Sequence, residues 1–179
     1  MLFYAITDPS TLDFESLERD LRRFSQKASM IVYRDKNCKT YAVYAKKFVE
    51  TAKRFGFDKV LLHGDADLAK SCGADGVHLR SDQFDQIKKA KAANLFVIVS
   101  THLLKEAKQA EALGADMVTF SPVFETPNKG EPVGLVGLQK ISSILSIPVI
   151  ALGGITTQER AEACKKAGAE GVGAIRYFA

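Results

Sequence analysis

Cys72-Gly73-Ala74-Asp75-Gly76-Val77 returns as Leu113-Gly114-Ala115-Asp116-Met117-Val118 and again as Ala167-Gly168-Ala169-Glu170-Gly171-Val172. Each copy puts a glycine where an amphipathic segment stops and an acidic residue just before a short apolar run. Glycine closes a helix in the left-handed conformation without a Cβ clash, so the unit reads as helix, turn, strand. Repeated connections of this kind join parallel strands. The repeat by itself fits a closed barrel and an open doubly wound sheet equally.

Outward from the repeat, the apolar runs predict strands at Leu2–Ile6, Met30–Tyr33, Lys59–Leu62, Gly76–Leu79, Phe96–Val99, Met117–Phe120, Val149–Leu152 and Gly171–Ala174. Several lack clean alternation, as parallel strands covered on both faces do. Between them, Leu12–Gln26 carries Phe14, Leu17, Leu21 and Phe24, and Tyr41–Phe55 carries Tyr44, Ala45, Phe48, Val49 and Ala52. That spacing marks one buried helical face. Shorter helices are predicted near Ala66–Ser71, Asp82–Ala93, Leu103–Leu113, Leu135–Leu145 and Thr157–Ala167. The one long connection, Ser121–Gly134, holds Pro122, Pro127, Gly130 and Pro132 and is a candidate lid.

The 179 residues suit one domain, residues 1–179, but are short for an eight-unit barrel, which typically takes about 250. A barrel here is therefore compact, with short loops or a truncated final helix. Only Ile175–Ala179 follows the last predicted strand. A homodimer is expected, its partner covering the apolar side that the missing helix would leave.

The net charge of +4 is modest and its basic residues are spread along helices. Lys88-Lys89-Ala90-Lys91 reads as a solvated helix face. No helix-turn-helix signature or basic stripe points to nucleic acid. Cys38, Cys72 and Cys164 have no metal-like spacing and read as reduced thiols. The apolar N-terminal run is too short for a signal segment or membrane span, so a cytoplasmic location is expected.

Six stretches in order along nearly the whole chain make the sequence resemble the thiamine phosphate synthase and TenI family. They are Tyr4-Ala5-Ile6-Thr7-Asp8, Tyr33-Arg34-Asp35-Lys36, Gly73 to Leu79, Ser121-Pro122-Val123-Phe124-Glu125-Thr126 with Lys129, Ile147 to Ile155, and Ala167 to Val172. The resemblance implies a (β/α)8 TIM barrel, the enzymes of thiamine biosynthesis, and a thiazole phosphate as ligand.

Gly153-Gly154 ends the seventh predicted strand, and Gly173 lies in the eighth. Barrels commonly hold phosphate on the loops after these strands, where residues without side chains allow close backbone approach. The resemblance places the thiazole phosphate there. Arg176 stands where relatives have a serine, able to add a charge-assisted bond or to obstruct the pocket. It also matches Arg34, Lys36 and Lys129 to residues that hold the pyrophosphate of an aminopyrimidine substrate. Ser100 matches a pyrimidine contact, and Thr126 belongs to the same substrate-binding set.

Departures from the pattern separate the family's activities. The synthase holds magnesium on carboxylates, whereas its positions here read Gly64 and Gln83; Asp65 and Asp82 are each one residue off. Magnesium wants hard oxygen ligands, usually carboxylates beside phosphate. The synthase also has a glutamine where Val32 stands. TenI proteins, some of which aromatise a thiazole tautomer without metal, share the glycine. Their catalytic histidine falls at Pro122, which cannot transfer a proton.

His63, ending the third strand, is the candidate replacement because its ordinary pKa suits proton transfer. Substrate contact and a structural role remain open for it. His78 reads as a hydrogen-bonded core residue, and His102 as a surface or capping one. Asp8 and Glu125 are carboxylate candidates or turn caps. The leading expectation is a TenI-like thiazole phosphate-binding protein acting as a tautomerase, with no cofactor and no metal. The alternatives are a thiamine phosphate synthase with a divergent magnesium site, and a silent binder of thiazole phosphate.

Overall fold

Every one of the three repeated turns makes the same join in the computed structural model, which describes residues Met1–Ala179. Gly73, Gly114 and Gly168 all have positive φ, and the acidic residue behind each glycine donates its backbone N–H to the preceding strand. Asp75 binds the Val60 carbonyl, Asp116 that of Val97 and Glu170 that of Val149, at 2.9, 2.9 and 3.0 Å. The carboxylates of Asp75 and Asp116 also accept the amides of Val60 and Val97, each at 2.7 Å. The acid thus pins the start of one strand to its neighbour and sets a parallel register.

Eight strands result: β1 Leu2–Ile6, β2 Met30–Tyr33, β3 Lys59–His63, β4 Gly76–Leu79, β5 Phe96–Thr101, β6 Met117–Phe120, β7 Val149–Ala151 and β8 Gly171–Ala174. Each pairs in parallel with the next, and β8 returns to β1, so the sheet is a closed barrel. Of the two topologies that the repeat allows, the (β/α)8 barrel is the one formed. The helices are α1 Leu17–Ser25, α2 Tyr41–Ala52, α3 Ala66–Ser71, α4 Gln86–Ala92, α5 Leu104–Ala112, α6 Gly134–Ile144 and α7 Gln158–Lys166. None is long and apolar enough to cross a membrane.

Alternation along the strands divides the core in two. Tyr4, Ile6, Met30, Val32, Leu61, Ile98 and Ile150 fill the barrel interior. The larger cluster, with Ile31, Leu62, Val77, Leu79, Val97 and Val99, packs under the helices. Compactness comes from alanine: Ala66, Ala69, Ala90, Ala107, Ala110 and Ala161 are the small residues by which short helices sit close on the sheet. At the barrel floor, a β-carbon on Gly76 would stand 2.2 Å from the Phe96 carbonyl oxygen, and one on Gly171 2.6 Å from that of Leu2. Those glycines let neighbouring strands and their large side chains share the narrow interior.

Two helix starts differ from expectation. Leu12 precedes α1 by a series of turns, because the Asp8 carboxylate accepts the Ser10 amide at 2.9 Å and hydroxyl at 2.6 Å, and Thr11 and Leu12 donate to the Asp8 carbonyl. Asp82 lies before α4 because the Gln83 side chain accepts the Arg80 amide at 3.0 Å. Behind β8, Ile175–Ala179 forms no helix, and Phe178 turns back, fully buried, edge-on to Phe3 at 5.9 Å. On the side that a final helix would cover, the chain's own Phe178 packs.

Candidate active site

The interior parity of the strands continues past their ends and determines which side chains reach the mouth. Arg34 lies two residues beyond Val32, His63 two beyond Leu61, Ser100 two beyond Ile98, and Arg80 two beyond His78. Lys36 has the same parity in the following loop.

These side chains sense one another. Lys36 is held below the ordinary lysine range, first by Arg34, then by partial burial, then by Lys129 and Arg80. His63 is pushed down to about 4, mainly by burial, with Arg34, Lys36 and Arg80 adding to the effect. Arg34, Lys36, His63, Lys129 and Arg80 are therefore near enough to influence one another, and Arg80 is the one that the sequence reading did not include. His63 is neutral at pH 7 in this setting and able to accept a hydrogen bond.

His63 is also fixed from behind. Its amide donates to the Tyr41 hydroxyl at 3.1 Å, and that hydroxyl donates to the Tyr33 carbonyl at 2.7 Å. Tyr41 stacks on Tyr33 with centroids 4.7 Å apart, so one side chain of α2 ties the ends of β2 and β3 together. Beneath His63, at a centroid distance of 5.8 Å, lies the buried ring of His78. Its Nδ1 is 2.9 Å from the Tyr4 hydroxyl and its Nε2 2.9 Å from the Ser100 hydroxyl. Burial pushes His78 down to about 3, and His63 and Arg34 push in the same direction. His102 lies outside this group, with Nδ1 2.8 Å from the Ser121 carbonyl.

Across the mouth, Gly153 and Gly154 have φ of 96° and 67°, and their amides donate to no acceptor within the chain. The amides of Ile175 and Arg176, just after β8, are equally free. Two unpaired amide groups beside adjacent strand ends suit an anion. The glycines have a further reason that sequence reasoning did not supply. A β-carbon on Gly153 would stand 2.7 Å from Pro122 Cα, and one on Gly154 2.7 Å from the Glu125 carbonyl oxygen. The space is occupied by the 121–134 loop, which is bound there by Val123 N–H to Leu152 and Phe124 N–H to Gly153.

Gly173 faces the interior, where a β-carbon would stand 2.4 Å from Leu152 Cδ2. Thr126 donates to Phe124 within its own loop at 2.9 Å. Arg176 and Glu125 are exposed and make no side-chain hydrogen bond or ion pair. Two clefts of about 400 and 390 Å³ lie over α1, α2 and the loop after β1; neither includes the cations of the mouth or the glycine loop.

The model of one family, thiamine monophosphate synthase, matches residues 3–178. The chain belongs to the thiamine monophosphate synthase family. An Aquifex aeolicus relative named "Putative thiamine-phosphate synthase 2" is 36% identical over 98% of this chain and 96% of its own length. The thiamine-phosphate synthase of Clostridium novyi is 33% identical over 96% of this chain and 87% of its own. Among solved structures, thiamine phosphate pyrophosphorylase from Pyrococcus furiosus superposes with a TM-score of 0.83 at 31% identity, covering 97% of this chain and 85% of that one.

Magnesium as the synthase pattern would hold it does not fit the residues present. The Gln83 amide donates to the Gly64 carbonyl at 2.8 Å, so the two positions without carboxylates are bonded to each other. Asp65 Oδ1 caps α3 by accepting the Leu68 amide at 2.9 Å, and Asp82 is paired with Arg80 at 2.9 Å. No three acidic, histidine or cysteine residues converge in a metal-binding group. Arg80 is the residue that motif matching passed over. Its signal was the period-two spacing Gly76, His78, Arg80.

Proposed function

We propose that this chain joins an aminopyrimidine, presented as its pyrophosphate, to a thiazole phosphate, releasing pyrophosphate and forming thiamine phosphate. The observation that carries this reading is the presence of two anion-binding features on one mouth. Arg34, Lys36, Arg80 and Lys129 form one, and the free amides after β7 and β8 form the other. A ligand with a single phosphate leaves one of them unused. The names of the relatives support the same reaction.

In this reaction the carbon–oxygen bond to pyrophosphate breaks with its electron pair leaving on oxygen, and the thiazole nitrogen uses its lone pair to form the new carbon–nitrogen bond. The cations stabilise charge on the departing oxygen, where preorganised positive groups act most strongly. The neutral imidazole of His63 and the Ser100 hydroxyl, which share the strand parity of the cations, orient the rings in this reading.

A second reading, tautomerisation of a thiazole phosphate with His63 as the base, draws on the place of this imidazole at the mouth, although burial makes it a weaker base than an ordinary histidine. Purified protein supplied with both substrates should form thiamine phosphate and pyrophosphate in equal amounts. Absence of product, with a tautomer conversion that is lost in His63→Ala, would replace the first reading by the second. Thiazole phosphate binding with neither reaction would leave a silent binder.

A further inference from the structure

We propose that Arg80 takes the place of a divalent metal at the cationic side of the mouth, so that this chain binds a pyrophosphate group without magnesium. The inference rests on the transferase reading for the identity of the anion.

Three of the guanidinium's features are visible. Nε and Nη2 are bound to the Asp82 carboxylate at 2.9 and 3.3 Å, which fixes the plane of the group. Nη1 has no partner within the chain and reaches over β3, where a β-carbon on Gly64 would stand 3.4 Å from it. Gly64, at a φ of 79°, offers no side chain as a ligand and lies directly beneath the arginine of the next strand. Gln83 completes the arrangement by accepting the Arg80 amide and donating to the Gly64 carbonyl.

A divalent cation at this place would meet a fixed positive charge and neutral oxygens that already accept hydrogen bonds. A phosphate group would meet a guanidinium whose remaining N–H groups match its geometry. Arg34, Lys36 and Lys129 supply the rest of the charge, and their mutual repulsion in the ligand-free mouth is relieved when an anion enters. Asp82 acts as a positioning residue, because without it the guanidinium loses its two-point anchor.

Calorimetric titration of the full chain with inorganic pyrophosphate tests this, once in excess chelator and once with magnesium. Binding is expected in chelator, with magnesium improving it less than threefold. Arg80→Gln should weaken the chelator-phase affinity at least tenfold, and Asp82→Asn about threefold. Circular dichroism of each variant checks folding; if Arg80→Gln does not fold, the Asp82→Asn result decides.

Binding that appears only with magnesium, or variants that match the parent, would overturn the proposal. Product formation in the same chelator buffer separates the two claims. Pyrophosphate bound without turnover upholds the Arg80 site and removes the transferase reading, whereas turnover that needs magnesium and survives Arg80→Gln does the reverse.

Discussion

The Tyr4 hydroxyl lies 2.9 Å from Nδ1 of His78, and that ring nitrogen is its only hydrogen-bond partner in the barrel interior. A buried hydroxyl whose proton finds no acceptor is costly, so Tyr4 donates and Nδ1 accepts. Nε2 then carries the ring proton and donates to Ser100 at 2.9 Å. The Ser100 hydroxyl, its lone pair engaged, keeps its own proton for a ligand at the mouth. His78, read from the sequence as a core residue, and Ser100 are two links of one chain of hydrogen bonds.

This fixes a tautomer that nitrogen NMR can observe. His78 should show protonated Nε2 and bare Nδ1 at pH 7, and Tyr4→Phe should disturb the Nδ1 signal while leaving the protein folded. A protonated Nδ1 in the parent would contradict the direction of the relay.

A buried imidazole, His78, and a half-buried one, His63, also make stability depend on pH. His63 and His78 are held near 4 and 3 in the folded chain, against an ordinary 6.5. Between those values the unfolded chain takes up protons that the folded chain refuses, so stability is constant above about pH 6.5 and falls on acidification. At pH 5 the loss is on the order of 2 kcal/mol for each ring. Thermal melts at pH 8 and pH 5 should show it, and His78→Gln, which cannot titrate, should remove about half of the pH 5 loss.

Tyr41→Phe isolates the brace behind His63. Phenylalanine keeps the stacking on Tyr33 but leaves the Tyr33 carbonyl and the His63 amide without their partner. A lost buried partner costs about 1–3 kcal/mol, and a urea melt should record a loss in that range. Because the ends of β2 and β3 are then free to separate, pyrophosphate affinity should fall as well. An unchanged midpoint would show that the two bonds are replaced by water at no cost.

How far sequence reaches is clear from particular residues. Met30–Tyr33 and Gly76–Leu79 are found within their observed bounds because short apolar runs between glycine or polar turns leave little freedom. The start of α1 is misjudged because Leu12 is buried like a helix residue, while the Asp8 turn that buries it has no apolar signature. Arg34 and Lys36 are legible from a linear motif. Arg80 is not, because its meaning depends on Gly64, sixteen positions earlier and adjacent only once β3 pairs with β4. Gly173 looks like a ligand-facing glycine in the motif, and the structure gives it an interior packing role against Leu152.

The same comparison of contexts yields a test of the glycine loop. Gly73 and Gly154 have nearly equal φ, 70° and 67°, but a β-carbon on Gly73 meets nothing within 4 Å, whereas one on Gly154 would stand 2.7 Å from the Glu125 carbonyl oxygen and 2.8 Å from Phe124 Cβ. Gly73→Ala should cost only the left-handed strain, about 1–2 kcal/mol. Gly154→Ala should add about 1–3 kcal/mol of overpacking, because the backbone of the 121–134 loop cannot rotate away as a flexible side chain can. Moving that loop also turns the free amides, so thiazole phosphate affinity should fall in Gly154→Ala and hold in Gly73→Ala. Equal losses of stability in the two variants, measured by denaturant titration, would show that the loop is not packed on the glycines as described.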